Sequence, residues 1–242
     1  MKASLLRWAA WAPGIELPDA WRSWAAAPAP LPATGAPDAK FLPAMLRRRC
    51  TPLTRTMLSA AFGCAEPDEL ARLRTVFASR HGSINESIGL LLNVVRREKL
   101  SPATFSHTVH NAQAGLFSIA AGNRAASSSL AGQEDTWTAA FLEALVFLER
   151  DPREPVLVVV GDVPLADTFA PLVDEAAVPY AFAAQVGAAG TGPGVSLELG
   201  AADPARARAP WPPALEFLRW WLSDEESLEQ PNRASTARWL RA

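Results

Sequence analysis

A strand that enters a helix through a tight turn is the feature that most restricts what this chain can fold into. It lies within Pro102–Ala144, PATFSHTVHNAQAGLFSIAAGNRAASSSLAGQEDTWTAAFLEA. Ala125 to Ala131 reads as a short strand and Ala131-Gly132-Gln133-Glu134 as the turn. Trp137, Ala140, Phe141, Ala144, Leu145 and Leu148 then mark one face of a helix at the expected spacing. Many α/β enzymes expose a nucleophile at such a junction, over the first amides of the helix. Here the turn offers Gln133, Glu134 and Asp135, and no Ser or Cys follows Gly132 for several residues. The junction is present without an evident nucleophile.

The flanking sequence extends the alternation of strand and helix. Ser4 to Trp11 reads as a first strand, and Pro13 to Pro43 as a Pro/Ala-rich excursion holding a short helix at Asp19 to Trp24. Thr51-Pro52 fits an N-cap and first helical position ahead of LTRTMLSAAFGCA. Thr75 to Ala78 is a short buried strand. Ser83-Ile84-Asn85-Glu86 has the form of a capping box, and Ile84, Ile88, Leu91, Leu92 and Val95 follow at helical spacing, which predicts a helix. Phe105 to Ala121 is rich in Ala and Gly and stops at Gly122. Pro155 to Val160 is a continuous apolar strand of the kind buried on both faces. Tyr180 to Val186 and Val195 to Leu199 flank GAAGTGPG and predict an antiparallel pair joined by a hairpin turn. Helices at Pro213 to Leu222 and Ala234 to Leu240 would make residues 201–242 a C-terminal helical extension of one α/β domain spanning residues 1–242.

Composition limits the function classes. The net charge is −2 at pI 6.0, which gives no electrostatic reason to expect a nucleic-acid partner. Cys50 and Cys64 form neither a CxxC pair nor a disulfide framework, so a reducing, cytoplasmic setting is the expectation. The apolar start LLRWAAWAPG is broken by Arg7 and Pro13, so no membrane span is expected, and it lacks the order of a signal peptide. Nine tryptophans cluster toward the two ends of the chain. They predict either two termini packed on one core or a partner surface.

The candidate chemistry is sparse. His107 and His110 would share a face of a helix, with His81 in a loop after a strand, but no Cys or carboxylate cluster completes a ligand set, so no metal is expected. GAAGTGPG lacks the Lys-Ser/Thr pair of a phosphate loop. Ser127, Ser128 and Ser129 fall in a strand, with no GxSxG and no later histidine to serve as base. Glu134 and Asp135 suit the positive end of a helix, and Glu134 is also the candidate for a general base.

The run Asn111-Ala112-Gln113-Ala114-Gly115-Leu116-Phe117-Ser118-Ile119 resembles the N-x-x-A-G-x-x-S-I pattern of β-ketoacyl synthases in the thiolase-like superfamily. Val76 to Gly82, the turn Leu130 to Asp135 and Gly161-Asp162 follow in the order of those enzymes, over about residues 1–200. The resemblance implies a thiolase-like half fold: a mixed, mainly parallel sheet with helices on both faces. It places Gly132, Gln133 and Glu134 where the family carries its catalytic cysteine, so no catalytic residue is expected, and Gln133 and Glu134 are both open as its replacement. It also implies that the second half, which supplies two histidines or a His and an Asn, is missing.

A Gln at that point is similar to the chain length factors that pair with active ketosynthases. Leu42 to Arg49 (LPxMLRRR-like) and Ser106 to Asn111 resemble the short subunits of this type found with aryl polyene pathways. The implied protein is a non-catalytic partner of a ketosynthase in a heterodimer, meeting acyl carrier protein only indirectly and needing no cofactor. Trp137 and Phe141 become candidates for the wall of an acyl channel, and Phe105, His107, His110, Asn111, Ser127, Ser128 and Ser129 for the partner interface. The alternatives are a self-sufficient acyl-transfer or hydrolytic enzyme using Glu134 or a histidine, and a metal- or thioester-binding module.

Overall fold

Val156–Asp162 and Tyr180–Gly187 contain one charged residue between them and are buried at every position. Such segments fit only the centre of a sheet covered on both faces. In the computed structural model, which describes residues 1–169, 172, 175–202, 210–232 and 235–242, they occupy that place. The strands are β1 (Lys2–Trp11), β2 (Arg74–Ala78), β3 (Ser127–Leu130), β4 (Val156–Asp162), β5 (Tyr180–Gly187), β6 (Gly194–Ala201), β7 (Ser227–Pro231) and β8 (Ser235–Arg241). They form one sheet in the order β3-β2-β4-β5-β1-β6-β8-β7.

The helices are α1 (Pro18–Ala26), α2 (Ala44–Arg49), α3 (Pro52–Cys64), α4 (Pro67–Leu70), α5 (Ile84–Val95), α6 (Pro102–Phe105), α7 (Ala112–Ala121), α8 (Thr136–Arg150) and α9 (Pro213–Leu222). They cover both faces, as expected. On one face Leu53, Met57 and Leu58 of α3 and Phe117 of α7 pack with Phe77, Leu157 and Val159. On the other, Trp21 of α1, Trp137 and Phe141 of α8 and Phe217 and Trp220 of α9 pack with Val76, Val158 and Phe182.

Several local expectations are borne out. Thr51 caps α3, its hydroxyl accepting from Thr54 N at 3.2 Å behind Pro52. Trp137, Ala140, Phe141, Ala144 and Leu148 are the buried stripe of α8. The tryptophans take the plainer of their two readings: Trp21, Trp137, Trp220 and Trp239 are fully buried, and both ends of the chain meet in one core.

Four expectations are corrected. The sheet is mainly antiparallel, with two parallel pairings (β2–β3 and β2–β4) against five antiparallel ones. Strands β1 to β4 do run one way, but β5 enters reversed between β4 and β1. The segments flanking GAAGTGPG do not pair as a hairpin. β1 lies between them, pairing with β5 through Ser4–Trp11 and with β6 through Lys2–Ser4, so the glycine-rich loop carries the chain across β1. Residues 201–242 are not a helical extension, because Ser235–Arg241 is a strand. Its period is two rather than 3.6, with Ala237 and Trp239 inward and Arg238 facing Glu198 and Glu229 on the neighbouring strands at 3.7 Å. Ser83 does not form a capping box. Its hydroxyl instead accepts from Gln113 Nε2 at 3.1 Å, and the apolar face of α5 stays outside both cores.

Trp137 and Phe141 are 1% and 0% exposed. The Trp137 ring lies 4.6 Å from Phe217, 5.1 Å from Phe182 and 5.9 Å from Trp239, centroid to centroid. Truncating either aromatic leaves a cavity that such a core closes only in part. Trp137→Ala and Phe141→Ala should each lower unfolding free energy by about 3–5 kcal/mol in urea titrations. A variant that kept full stability would contradict this packing.

Candidate functional site

Strands β2, β3 and β4 share one direction, so their C-terminal ends open onto the same edge of the layer, where open α/β sheets place their sites. Three loops meet there: residues 79–83 after β2, the turn after β3, and the loop after β4. Asp162, the last residue of β4, is buried and accepts from Ser79 Oγ at 2.6 Å and from the backbone N–H groups of Arg80 and His81, both at 3.0 Å. Burial pushes its carboxyl above the ordinary Asp range, and these three donors work against the rise. Ser79 Oγ in turn accepts from Gly82 N at 2.7 Å.

The turn after β3 is a sharp junction. Gly132 is hemmed in, since a Cβ there would stand 3.0 Å from Ala139 Cβ and 3.1 Å from the Asp135 backbone. Gln133 takes a left-handed φ of 52°, one of three non-glycine residues to do so among those described. A single 3₁₀ turn, Gln133–Asp135, leads into α8. Thr136 Oγ1 locks it, accepting from Gly132 N at 3.1 Å and donating to the Gln133 carbonyl at 2.7 Å. Gln133 therefore holds the conformationally special position, and its side chain is exposed.

Charged side chains fill the space beside this turn. Arg80 Nη1 is 3.0 Å from Glu175 Oε2, and Arg80 Nη2 is 3.9 Å from Glu134 Oε1. His81 Nε2 is 3.5 Å from Glu175 Oε1, and Asn232 donates to Asp135. Cavities of about 60 Å³ (beside Arg80, Glu134 and Glu175) and about 90 Å³ (beside His81, Asp162 and Tyr180) flank Glu175. Each has room for only a few waters, whereas pockets for substrate-sized ligands run to about 300–1,000 Å³. Glu134 was expected to serve the helix end or to act as a general base. It is also paired with Arg80, a contact that its sequence neighbours do not foretell.

The candidate interface residues divide between β3 and the turns around α6. Ser127, Ser128 and Ser129 belong to β3, which is an edge strand. Phe105 closes α6 at 65% exposure. His107, His110 and Asn111 lie in turns between α6 and α7, so the two histidines do not share a helix face as expected. α5 carries no fully buried residue, and its Leu91 and Val95 are 64% and 79% exposed. A groove of about 470 Å³ runs between α5 and α6, lined by Leu90, Leu91, Val94, Leu100 and Phe105. Sequence periodicity identified this apolar face, and the structure leaves it outside both cores. Arg80 and Glu175 were not singled out, and Asp162 was visible as a lone acid ending an otherwise apolar strand. Among the described residues no group of three or more His, Cys, Asp or Glu is placed to hold a metal, and no helix is long and apolar enough to cross a membrane.

The family described as beta-ketoacyl synthase, N-terminal domain, matches residues 21–240. The chain belongs to that family. Among curated proteins, sequence comparison finds no match. Among solved structures, this β-ketoacyl synthase domain is similar to a chain of the ketosynthase ApeO in complex with its chain length factor ApeC from Xenorhabdus doucetiae, with TM-score 0.87 and 24% identity over 100% of both chains. It is also similar to the ishigamide ketosynthase/chain length factor, with TM-score 0.64 and 15% identity over 83% of this chain and 68% of the other. A third likeness is to AntDE:AntF, a type II polyketide synthase acyl-carrier protein in complex with its ketosynthase, with TM-score 0.63 and 12% identity over 83% and 69%. The shared feature is the β-ketoacyl-synthase-like fold.

The domain's own cysteines lie away from the turn, in or beside helices of the opposite face. Cys64 ends α3, and burial pushes its thiol up to about 12. Cys50 is buried after α2, and its thiol is likewise raised by burial. A thiol at about 12 is ionised in roughly one molecule in ten thousand at pH 8. Native protein at pH 8 should therefore leave both thiols unreacted with a disulfide reagent over minutes, and both should titrate after unfolding in guanidinium. Rapid loss of one thiol from native protein would contradict the burial.

Proposed function

We propose that this domain is a non-catalytic, chain-length-factor-type subunit that pairs with an active ketosynthase in aryl polyene or related polyketide or fatty acid biosynthesis. The observation that carries the reading is the turn itself. It keeps the sharp strand-to-helix geometry of a nucleophile site, and the residue in the left-handed position is Gln133, whose amide cannot attack a thioester. Fold likeness to ketosynthase and chain length factor assemblies supports it. So do the open edge of β3 and the apolar surface of α5 and α6, which a partner would cover. Acyl carrier protein would then meet the pair through the ketosynthase.

The competing reading is a self-sufficient acyl-transfer or hydrolytic enzyme. Its candidate groups are engaged elsewhere: Glu134 faces Arg80, His81 faces Glu175, and the His110 ring lies against Gly82. Purified protein incubated with acyl- and malonyl-carrier protein should yield no ketoacyl product by mass spectrometry. Turnover by the isolated protein that Glu134→Gln or His110→Ala abolished would overturn the reading.

The partner would add a strand along β3. Thr75 N donates to the Ala126 carbonyl and Ser79 N to the Leu130 carbonyl, at 3.0 and 3.3 Å. Backbone polar groups alternate sides along a strand, so residues 126, 128 and 130 face β2 while Ser127 and Ser129 turn their N–H and C=O outward. Ser129→Pro removes an outward donor and should weaken co-purification with a co-expressed ketosynthase at least about tenfold, with melting little changed. Ser128→Pro strikes the β2 ladder instead and should lower stability. Equal partner affinity for Ser129→Pro and wild type would put the interface elsewhere.

A further inference from the structure

α5 is a twelve-residue helix that buries none of its side chains fully, and helices of that length are marginal unless something holds them. Neither Ile84 nor Ile88 joins either core. What fixes it is polar and lies at its first turn. Asn85 Nδ2 donates to the Pro164 carbonyl at 2.9 Å, while Asn85 Oδ1 accepts from Ala166 N, also at 2.9 Å. One amide thus clamps the start of α5 to the loop after β4 from both sides. Immediately before it, Ser83 Oγ accepts from Gln113 Nε2 at 3.1 Å, and both of these residues are buried. Gln113 stands in the first turn of α7, so this bond ties the beginnings of the two helices together.

The third support is a close approach. Gly82 has φ of 59°, and a Cβ on it would stand 3.1 Å from His110 Nδ1. The imidazole therefore rests on the glycine backbone, and the turn carrying His107, Val109 and His110 is seated on the turn that starts α5. Beyond these supports, α5 and α6 pack mainly on each other and project their apolar side chains outward.

We propose that Asn85, Gln113 and His110 are positioning residues that hold α5, α6 and the turn after them as a preformed arm for the partner subunit. The inference rests on the reading of this domain as a ketosynthase partner. An arm already ordered before binding spares the complex the cost of ordering it, so its anchors act on affinity without touching the partner. Asn85 is the decisive one, because its side chain makes two bonds to the loop after β4 in a helix with no fully buried residue.

Hydrogen exchange on the isolated protein tests the arm directly. Asn85→Ala should raise exchange about tenfold across residues 84–105 while amides of β2, β4 and β5 keep their protection. The same variant should raise the Kd for a co-expressed ketosynthase about tenfold, mostly through slower association. Asn85→Asp, which retains the acceptor for Ala166 N but loses the donor, should fall between the two. Gln113→Ala provides an independent second break, with the same local pattern expected.

Unchanged exchange in the arm for both alanine variants would overturn the proposal. So would a rise spread evenly over all strands, since that would make these residues supports of the whole fold. Normal partner affinity in a variant whose arm exchanges freely would also overturn it. Failure of the wild-type protein to bind any ketosynthase would instead defeat the partner reading, and the exchange data, which need no partner, would still decide whether the arm is pinned.

Discussion

One buried carboxylate organises the functional end of this molecule. Removing an ionised Asp from water is expensive unless donors replace its hydration, and Asp162 receives three of them, all from Ser79, Arg80 and His81. The gain for the architecture is that the end of β4 and the turn after β2 become a single unit. From that unit Arg80 reaches Glu134 beside the elbow and Glu175 after β4, Gly82 supports His110, and Ser83 receives Gln113. Elbow, loop and arm all hang on a turn whose shape the carboxylate dictates. A neutral amide at position 162 would present a donor where one of those three donors now points, so shape alone could not preserve the arrangement.

The other half of the stability problem is the face of the sheet that carries α8. Its aromatic stripe would face water if α8 were the only cover. The later part of the chain answers this by extending the sheet beyond β1 with β6, β8 and β7, which brings Trp239 under Trp137 and Phe141, and by laying α9 across them. α1 closes the remaining gap, with Trp21 donating to the Ala10 carbonyl at 3.0 Å and Trp24 edge-on to Trp211. Burying a large apolar side chain is worth roughly 1.5–3 kcal/mol, so this shared cluster ties both ends of the chain to one core.

Legibility in the sequence followed the range of the forces involved. The helix of Trp137 to Leu148, the cap at Thr51 and the apolar strand at Pro155 to Val160 were readable because neighbours within a few residues decide them. The strand at Ser235–Arg241 was not, because Arg238 and Trp239 acquire their roles only from Glu198, Glu229 and Gln230 across the sheet. The position of β1 between β5 and β6 was hidden for the same reason. The glycine-rich loop fits a hairpin as well as a crossing, and only the pairing partner tells them apart. At the site, the strand-turn-helix junction was legible, while the left-handed backbone of Gln133, held by Thr136, was not. The apolar face of α5 was legible as well, but what covers it was not. Period 3.6 reports that a face is apolar, not what it packs against.

The exposed face of α5 is part of how the molecule divides its surface. A left-handed non-glycine residue costs of order 1–3 kcal/mol, and an exposed apolar groove carries a standing risk of aggregation. Both features occur at the same end, and the β3 edge opens beside them. None of the three helps an isolated domain, since the strain could relax in a looser turn, the groove could be polar and the edge could be charged. A single partner that adds a strand to β3 and lays an apolar surface on the arm would resolve the groove and the edge together. It would also give the rigid elbow a use, as the hard corner from which β3 and the start of α8 present a fixed edge to that partner.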